Sequence, residues 1–382
     1  MKTHGISRLP WPANTPQHRW YGLGRYCAMF PAPFVIEALQ AFTQRGDVVM
    51  DPFSGRGNAP YLAAATGRPG IAVDILPIAW LFTTAKVNPS RNRENVLTRL
   101  NEIGRAVRLQ DRKHRSQFEK MAWAPGTLGF LRAARRELNW KESRTDRTLA
   151  AILALYMQDN SPNGLSNRFS PTVAHSPTYA VKWWTQRDML DPPDTNPVKY
   201  LSARIKWRYA YGLPDLARCS TYLGNAREVL DRIAPCSAKL IITSPPYHGV
   251  TDYVNEQWLR NWLLGSKLRK DWKLTQRHSN LIQYRDLIKG VLGNARQHVR
   301  EDGAVIVRCG SKPTTANTCR EALETSWPKW RIFERSSVIS RRGKASGYGH
   351  GSKLITEKDI LAASPEQEDQ ARLWAQSVES DA

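Results

Sequence analysis

The sequence predicts an α/β fold built on a mostly parallel central sheet, and three stretches carry that prediction. The first is the apolar run Leu240, Ile241, Ile242, which stops after Thr243 at Ser244-Pro245-Pro246-Tyr247. Neither proline can donate to a ladder, so a buried strand ends there. The second is Val48-Val49-Met50 running into DPFSGRGNAPYLAAATG, the pattern of strand, glycine loop and helix. The third is Ile71-Ala72-Val73, a strand ending at Asp74, about twenty positions beyond the glycine loop. In open sheets of this class ligands bind just outside the carboxyl ends of the strands, which is where all three stretches put their polar residues.

The elements follow in order. Residues 1 to 19 are rich in proline and polar residues and read as an N-terminal arm. Val35, Ile36, Leu39 and Phe42 recur at helical spacing behind Pro31 and Pro33, so a helix is expected at about 33 to 43. Residues 20 to 95 then hold the first two strands and the glycine loop. Gly55 and Gly57 allow a tight turn and close approach of a ligand to the backbone, and the helix starting near Asn58 offers free amides. From about Asn92 to Gln158 the pattern is helical and basic. Residues 159 to 217 lose that periodicity and interleave basic and aromatic side chains: Arg168 with Phe169, Lys182 with Trp183 and Trp184, Arg204 and Lys206 with Trp207, Arg208 with Tyr209. Phosphate contact combined with base stacking uses such a mixture, so the basic region 96 to 217 is expected to present a nucleic-acid face. Residues 218 to 363 resume the core, with a helical segment after Gly224-Asn225, the strand before the Pro-Pro corner, helices at about 255 to 264 and 281 to 299, and a strand at 304 to 307. The glycine-rich, basic stretch 341 to 352, with Arg341 and Arg342, reads as a mobile loop over DNA. Residues 364 to 382 are acidic and polar, and are expected to be a disordered tail.

Composition narrows the function. The chain has 382 residues, with 56 Lys and Arg against 34 Asp and Glu, a formal charge of +22, and 14 Trp and 13 Tyr. Such a balance points to a polyanion, most economically nucleic acid. Five cysteines without a CxxC pair argue against a disulfide framework and against a zinc site, and fit a reducing compartment. No apolar run is long enough to span a bilayer and the N-terminus has no signal-like apolar stretch, so a cytoplasmic protein without a membrane partner is expected. The glycine loop lacks the Lys-Ser/Thr ending of a phosphate-gripping loop, which argues against a nucleoside triphosphate. The asparagine at 58 and the aspartates at 51 and 74 suit a ligand that is neutral or cationic, such as S-adenosylmethionine, and a carboxylate at position 74 suits ribose hydroxyls.

Taken together, DPFSGRG after one parallel strand and TSPPY after another, with Asp74 between them, resemble the amino-group DNA methyltransferases. These move a methyl group from S-adenosylmethionine to the N4 of cytosine or the N6 of adenine. The resemblance covers about 20 to 95 and 218 to 363, and it implies a Rossmann-like methyltransferase core with the target-recognition region inserted between its halves. It implies that Phe30, Asp51, Phe53, Gly55 and Gly57 surround the cofactor, that Asp74 holds the ribose and that Asn225 lies beside the adenine. Many members carry Asp where this chain has Asn225. It further implies that Ser244, Pro245, Pro246 and Tyr247 are catalytic, with double-stranded DNA as partner and a monomer or homodimer; a restriction-modification system with a companion restriction endonuclease, a phage and an orphan regulatory role stay open as its setting.

The chemistry explains the residues. The lone pair of an exocyclic amino group is delocalised into its ring, so that nitrogen is a poor nucleophile. Two acceptors aimed at its N–H bonds, the Ser244 hydroxyl and the Pro245 carbonyl, pull the lone pair out of conjugation. Tyr247 would stack on a base that has left the helix. Serine at the first motif position favours cytosine N4, with adenine N6 as the alternative and an RNA amino group as a further one. Pro235-Cys236 is the dipeptide that carbon-5 cytosine methyltransferases use, but here it precedes its strand, at the wrong end of the sheet. A DNA-binding protein with a degenerate core is a further reading, against which the intact Gly55, Gly57 and Asp74 speak.

Overall fold

The computed structural model describes residues 9–25, 30–235, 237–249, 252–265, 280–339 and 355–377. Its centre is a seven-stranded sheet: β1 (Val48–Asp51), β2 (Gly70–Asp74), β3 (Cys219–Leu223), β4 (Ala238–Thr243), β5 (Val299–Gly310), β6 (Arg331–Ile339) and β7 (Ile355–Ala363). The spatial order is β3-β2-β1-β4-β5-β7-β6. β3, β2, β1, β4 and β5 pair in parallel, while β7 runs antiparallel to both β5 and β6. This is the expected mostly parallel, Rossmann-like sheet. The order reverses between β1 and β4, which creates a crevice beyond their carboxyl ends.

The strands read as continuous apolar runs because both faces are covered. Leu240 and Ile242 of β4, Ala304 and Ile306 of β5, and Leu361 and Ala363 of β7 belong to one core. Their neighbours Ile241, Val305, Val307, Ile360 and Ala362 belong to the other. On the second face lie the helices Ala226–Arg232, Leu281–Ala295 and Pro313–Ser326, contributing Leu230, Ile288, Val291, Cys319 and Leu323. The first face carries Ala32–Phe42, Asn58–Ala65 and Pro77–Val87, followed by the helices of the insertion. Leu100, Ile103, Leu131, Leu149 and Ile152 of that insertion share one core with Val49 and Phe82, so residues 96–217 pack as part of the sheet's cover.

Four expectations are corrected. Residues 159–217 contain two helices, Pro177–Thr185 and Pro197–Tyr209, each begun by a capping residue, Ser176 or Asn196, followed by proline. Residues 219–223, expected to lead into a helix, form the edge strand β3, and the last two strands were not anticipated. The acidic end is ordered as a helix, Glu368–Gln376, whose Trp374 packs against Phe34 and Phe42 with ring centroids at 6.3 and 5.9 Å. Its Ala371 and Trp374 form an apolar stripe that charge-based reading overlooks. Within the expected arm, Pro16–Tyr21 is helical, capped by Thr15 and anchored by the buried Trp20. The stretch 341–352 lies outside the described residues. No helix of the described residues is long and apolar enough to cross a membrane.

Candidate active site

The site forms where β1 and β4 end side by side. Val49 pairs with Leu240 and Met50 with Ile241, so Asp51 and Thr243 emerge as neighbours. The Thr243 hydroxyl donates to Asp51 Oδ1 at 2.7 Å, and the Phe53 amide donates to the same oxygen at 3.1 Å. Burial pushes the Asp51 carboxyl up to about 7 against the pull of these two donors, and the nearby Asp74 charge adds to the rise.

The glycine loop is held in a single shape. Gly55 and Gly57 have φ of +52° and +76°, and a Cβ on Gly57 would lie 2.6 Å from the Thr83 hydroxyl oxygen. Position 57 therefore admits only glycine without rearrangement. The Ser54 amide donates to the Val73 carbonyl at 2.9 Å and the Thr83 hydroxyl to the Gly55 carbonyl at 3.0 Å. Asp74 braces the loop: its Oδ2 accepts from the Gly55 amide at 2.7 Å and its Oδ1 from the Leu76 amide at 2.8 Å. Burial also pushes Asp74 up to about 7, opposed by the amides of Leu76, Gly55 and Ile75. The next strand tip stands alongside, since the Gly224 amide donates to the Asp74 carbonyl at 2.9 Å. Asn225 caps the following helix by accepting from the Arg227 amide at 3.1 Å.

Phe30 reaches the site from its own segment. Its carbonyl accepts from Asn58 Nδ2 at 2.8 Å and its ring lies 5.4 Å from that of Phe34. Asn58 Oδ1 accepts from Arg56 Nε at 2.8 Å. A cleft lined by Phe30, Phe53, Ser54, Gly55, Arg56, Asn58 and Ser244 joins the glycine loop to the Pro-Pro corner.

At the corner, hydroxyl groups form a directed series. The Ser244 hydroxyl donates weakly to Tyr247 Oη at 3.5 Å, and Tyr247 donates to Glu357 Oε1 at 2.8 Å. Glu357 sits on β7 opposite Gly310 of β5, and a Cβ on Gly310 would meet the Tyr247 ring at 3.3 Å. Burial and the Glu357 charge hold the Tyr247 phenol well above its usual range, so it stays protonated. Pro245 is buried, while Ser244 and Pro246 are partly exposed. His248 lies beside Tyr284, ring centroids 5.4 Å apart.

The residues expected to meet nucleic acid divide. Arg168, Lys182 and Lys206 are exposed. Arg204 is half-buried, its guanidinium 4.7 Å from the Tyr200 ring and 5.2 Å from that of Tyr156. Arg208 is a correction: it is 1% exposed, donates to the Arg19 carbonyl and lies over Trp20. It cannot reach a phosphate, because the helix Pro197–Tyr209 turns that position onto the core. The same helical periodicity buries Tyr209, and Phe169 and Trp184 are buried as well, while Trp207 remains exposed and, with Tyr211, flanks the Arg19 guanidinium at 4.4 and 4.2 Å. Arg341 and Arg342 lie outside the described residues, as does Cys236.

Sequence reasoning passed over Arg56, Thr83 and Glu357, and named Thr243 only as the end of its strand. Thr243 was within the motif already quoted. Glu357 had no local signal, because its role arises from strand pairing.

No family model and no curated protein matches the sequence. Among solved structures, the chain is similar to a precorrin-8w decarboxylase of Methanobacterium thermoautotrophicum, with 8% identity, TM-score 0.36, and 89% of this chain and 93% of that one covered. A SAM-dependent methyltransferase of Agrobacterium tumefaciens gives 9% identity, TM-score 0.36, and coverage of 88% and 63%. The rRNA methyltransferase aviRa of Streptomyces viridochromogenes gives 12% identity, TM-score 0.32, and coverage of 99% and 96%. The activities in those names are those of the proteins that bear them.

Proposed function

We propose that this protein is a site-specific methyltransferase that moves a methyl group from S-adenosylmethionine to the exocyclic amino group of a flipped-out DNA base, cytosine N4 in the favoured case. The observation that carries the reading is the single cleft shared by the left-handed glycine loop and Ser244. The residues present fit the cofactor. The loop excludes side chains at Gly57, Phe30 and Phe53 offer apolar walls, and two carboxyls at strand tips favour a cationic ligand over a phosphate. Asp51, Phe53, Gly55 and Gly57 would line the methionine end, Asp74 the ribose and Asn225 the adenine. Bound there, the cofactor supplies an electrophilic methyl group on a sulfonium.

The chain's own residues do the rest. Tyr247 spends its proton on Glu357 and Ser244 directs its own toward Tyr247, which leaves the lone pairs of Ser244 Oγ to accept from the amino group. The Pro245 carbonyl supplies the second acceptor on a backbone stiffened by two prolines. With both N–H bonds engaged, the nitrogen lone pair is free to attack, and the displaced proton leaves to water. Positioning and fixed dipoles provide the rate. The +22 charge, with Arg168, Lys182 and Lys206 at the surface, supports a nucleic-acid substrate.

The test is transfer of labelled methyl from S-adenosylmethionine to duplex DNA and, in parallel, to RNA, followed by identification of the modified base. N4-methylcytosine in DNA is expected. N6-methyladenine would select the alternative base, labelled RNA alone would select the alternative substrate, and no transfer to either would remove the reading. Ser244→Ala should abolish transfer with DNA binding retained.

A further inference from the structure

A second cleft, of about 570 Å³, opens between residues 173–177 of the insertion and the two short helices Tyr253–Glu256 and Trp258–Leu263 that follow the Pro-Pro corner. That size admits the exposed edge of one base. The two walls are joined by hydrogen bonds: the Ala174 amide to the Glu256 carbonyl at 2.8 Å, Trp258 Nε1 to the His175 carbonyl at 3.1 Å, Gln257 Nε2 to the Thr172 carbonyl at 2.9 Å, and Arg260 Nη2 to the Pro171 carbonyl at 2.7 Å. These bonds tie the insertion to the segment that leaves the corner. Burial and the Glu357 charge raise the Tyr247 pKa, and Tyr253, the first residue of the first of these helices, adds to the rise.

The lining has the opposite chemistry to the rest of the molecule. Asp252, Asn255, Glu256, His175 and Ser176 line it beside the Trp258 indole, and no Lys or Arg is among the described residues that line it, in a chain of net charge +22. A phosphate would be repelled there. Asp252 fixes the Asn255 amide: its Oδ2 accepts from Asn255 Nδ2 at 2.7 Å and its Oδ1 from the Asn255 amide at 3.1 Å. Asn255 Oδ1 is thereby left as an acceptor. Burial lowers the His175 pKa, against the pull of the Glu256 charge, so its imidazole is neutral at pH 7 and can offer an acceptor nitrogen and a flat face.

We infer that this cleft is a base-reading subsite, which meets the major-groove edge of a base neighbouring the methylated one and recognises the exocyclic amino group that adenine or cytosine presents on that edge. Carboxylates and amide oxygens accept from such groups, whereas on the same edge guanine offers only N7 and O6 and thymine only O4, with no donor. The inference rests on the methyl-transfer reading and assigns that reaction its sequence context.

The test is methylation of an oligonucleotide library randomised around the modified base, read by sequencing of the modified products, for the wild type and for His175→Ala, Asn255→Ala and Asn255→Lys. One flanking position should favour adenine or cytosine in the wild type. That preference should fall about tenfold or more in the alanine variants, and with Asn255→Lys it should turn toward guanine or thymine. An unchanged flanking profile in all three variants, whatever their rates, would overturn the inference while leaving the methyl-transfer reading intact. A wild type that modifies no nucleic acid would overturn both.

Discussion

Thr243 and Asp51 stand 192 positions apart in the chain and share a 2.7 Å hydrogen bond at the carboxyl edge of the sheet. Each is the last residue of its strand, and each is followed at once by the motif that lines the cleft. The bond registers the glycine loop against the Pro-Pro corner. In Thr243→Val the buried carboxyl keeps only the Phe53 amide, so stability should fall by about 1–3 kcal/mol in chemical denaturation.

The two strand-tip carboxyls predict a pH dependence. Asp51 and Asp74 rise from 3.8 to about 7 on folding, so the folded state binds more protons than the unfolded chain between those values. Their contribution to stability is complete below the lower value and is lost as pH rises through about 7. Binding of cationic S-adenosylmethionine runs the other way, since it favours the ionised carboxylates. Calorimetry should show its affinity rising between about pH 6 and pH 8, with the rise flattened in Asp74→Asn. An affinity independent of pH in the wild type would separate these groups from the cofactor.

Glu357 should act on the reaction by positioning Tyr247. Glu357→Ala is expected to lower kcat about ten- to a hundredfold with a smaller change in KM, as misplacement of a reacting constellation does. Glu357→Gln keeps an acceptor for the tyrosine hydroxyl and should restore most of the rate. Equal losses in both variants would mean that the charge, rather than the hydrogen bond, is what matters.

The basic residues of the insertion should separate into two kinds. Lys206→Ala and Lys182→Ala should each reduce the slope of log affinity for DNA against log salt by about 1, with the melting temperature unchanged. Arg208→Ala should instead lower the melting temperature, because the side chain is buried and bonded to the Arg19 carbonyl. A salt slope unaltered in both lysine variants would move the docking face elsewhere.

Lys86 is fully buried on the helix Pro77–Val87, and its Nζ has no hydrogen-bond partner among the described residues. Burial, with the charges of Arg56 and Arg208, holds its pKa well below 10.5. The folded state therefore carries fewer protons than the unfolded chain from that lowered value up to 10.5, and stability rises with pH through this window. Lys86→Met should stabilise the protein at pH 7 by about 1–3 kcal/mol and flatten the rise. A destabilised variant would point to a structural use of the amine.

What the sequence by itself determined was the local grammar. Prolines end β4, glycines shape the turn after β1, and Asp74 closes β2, because backbone sterics act within a few residues of one another. What only the tertiary structure decided is which of those side chains meet. Arg208 and Lys206 look equivalent in the sequence, but their places on one helix turn the first inward and the second to solvent. Trp374 orders an acidic tail because Phe34 and Phe42, more than three hundred positions away, offer it an apolar surface. Glu357 reaches Tyr247 only because β7 enters the sheet antiparallel beside β5. Local rules fix where a strand stops, whereas pairing between distant strands fixes what stands across from its end, and that opposition makes the site.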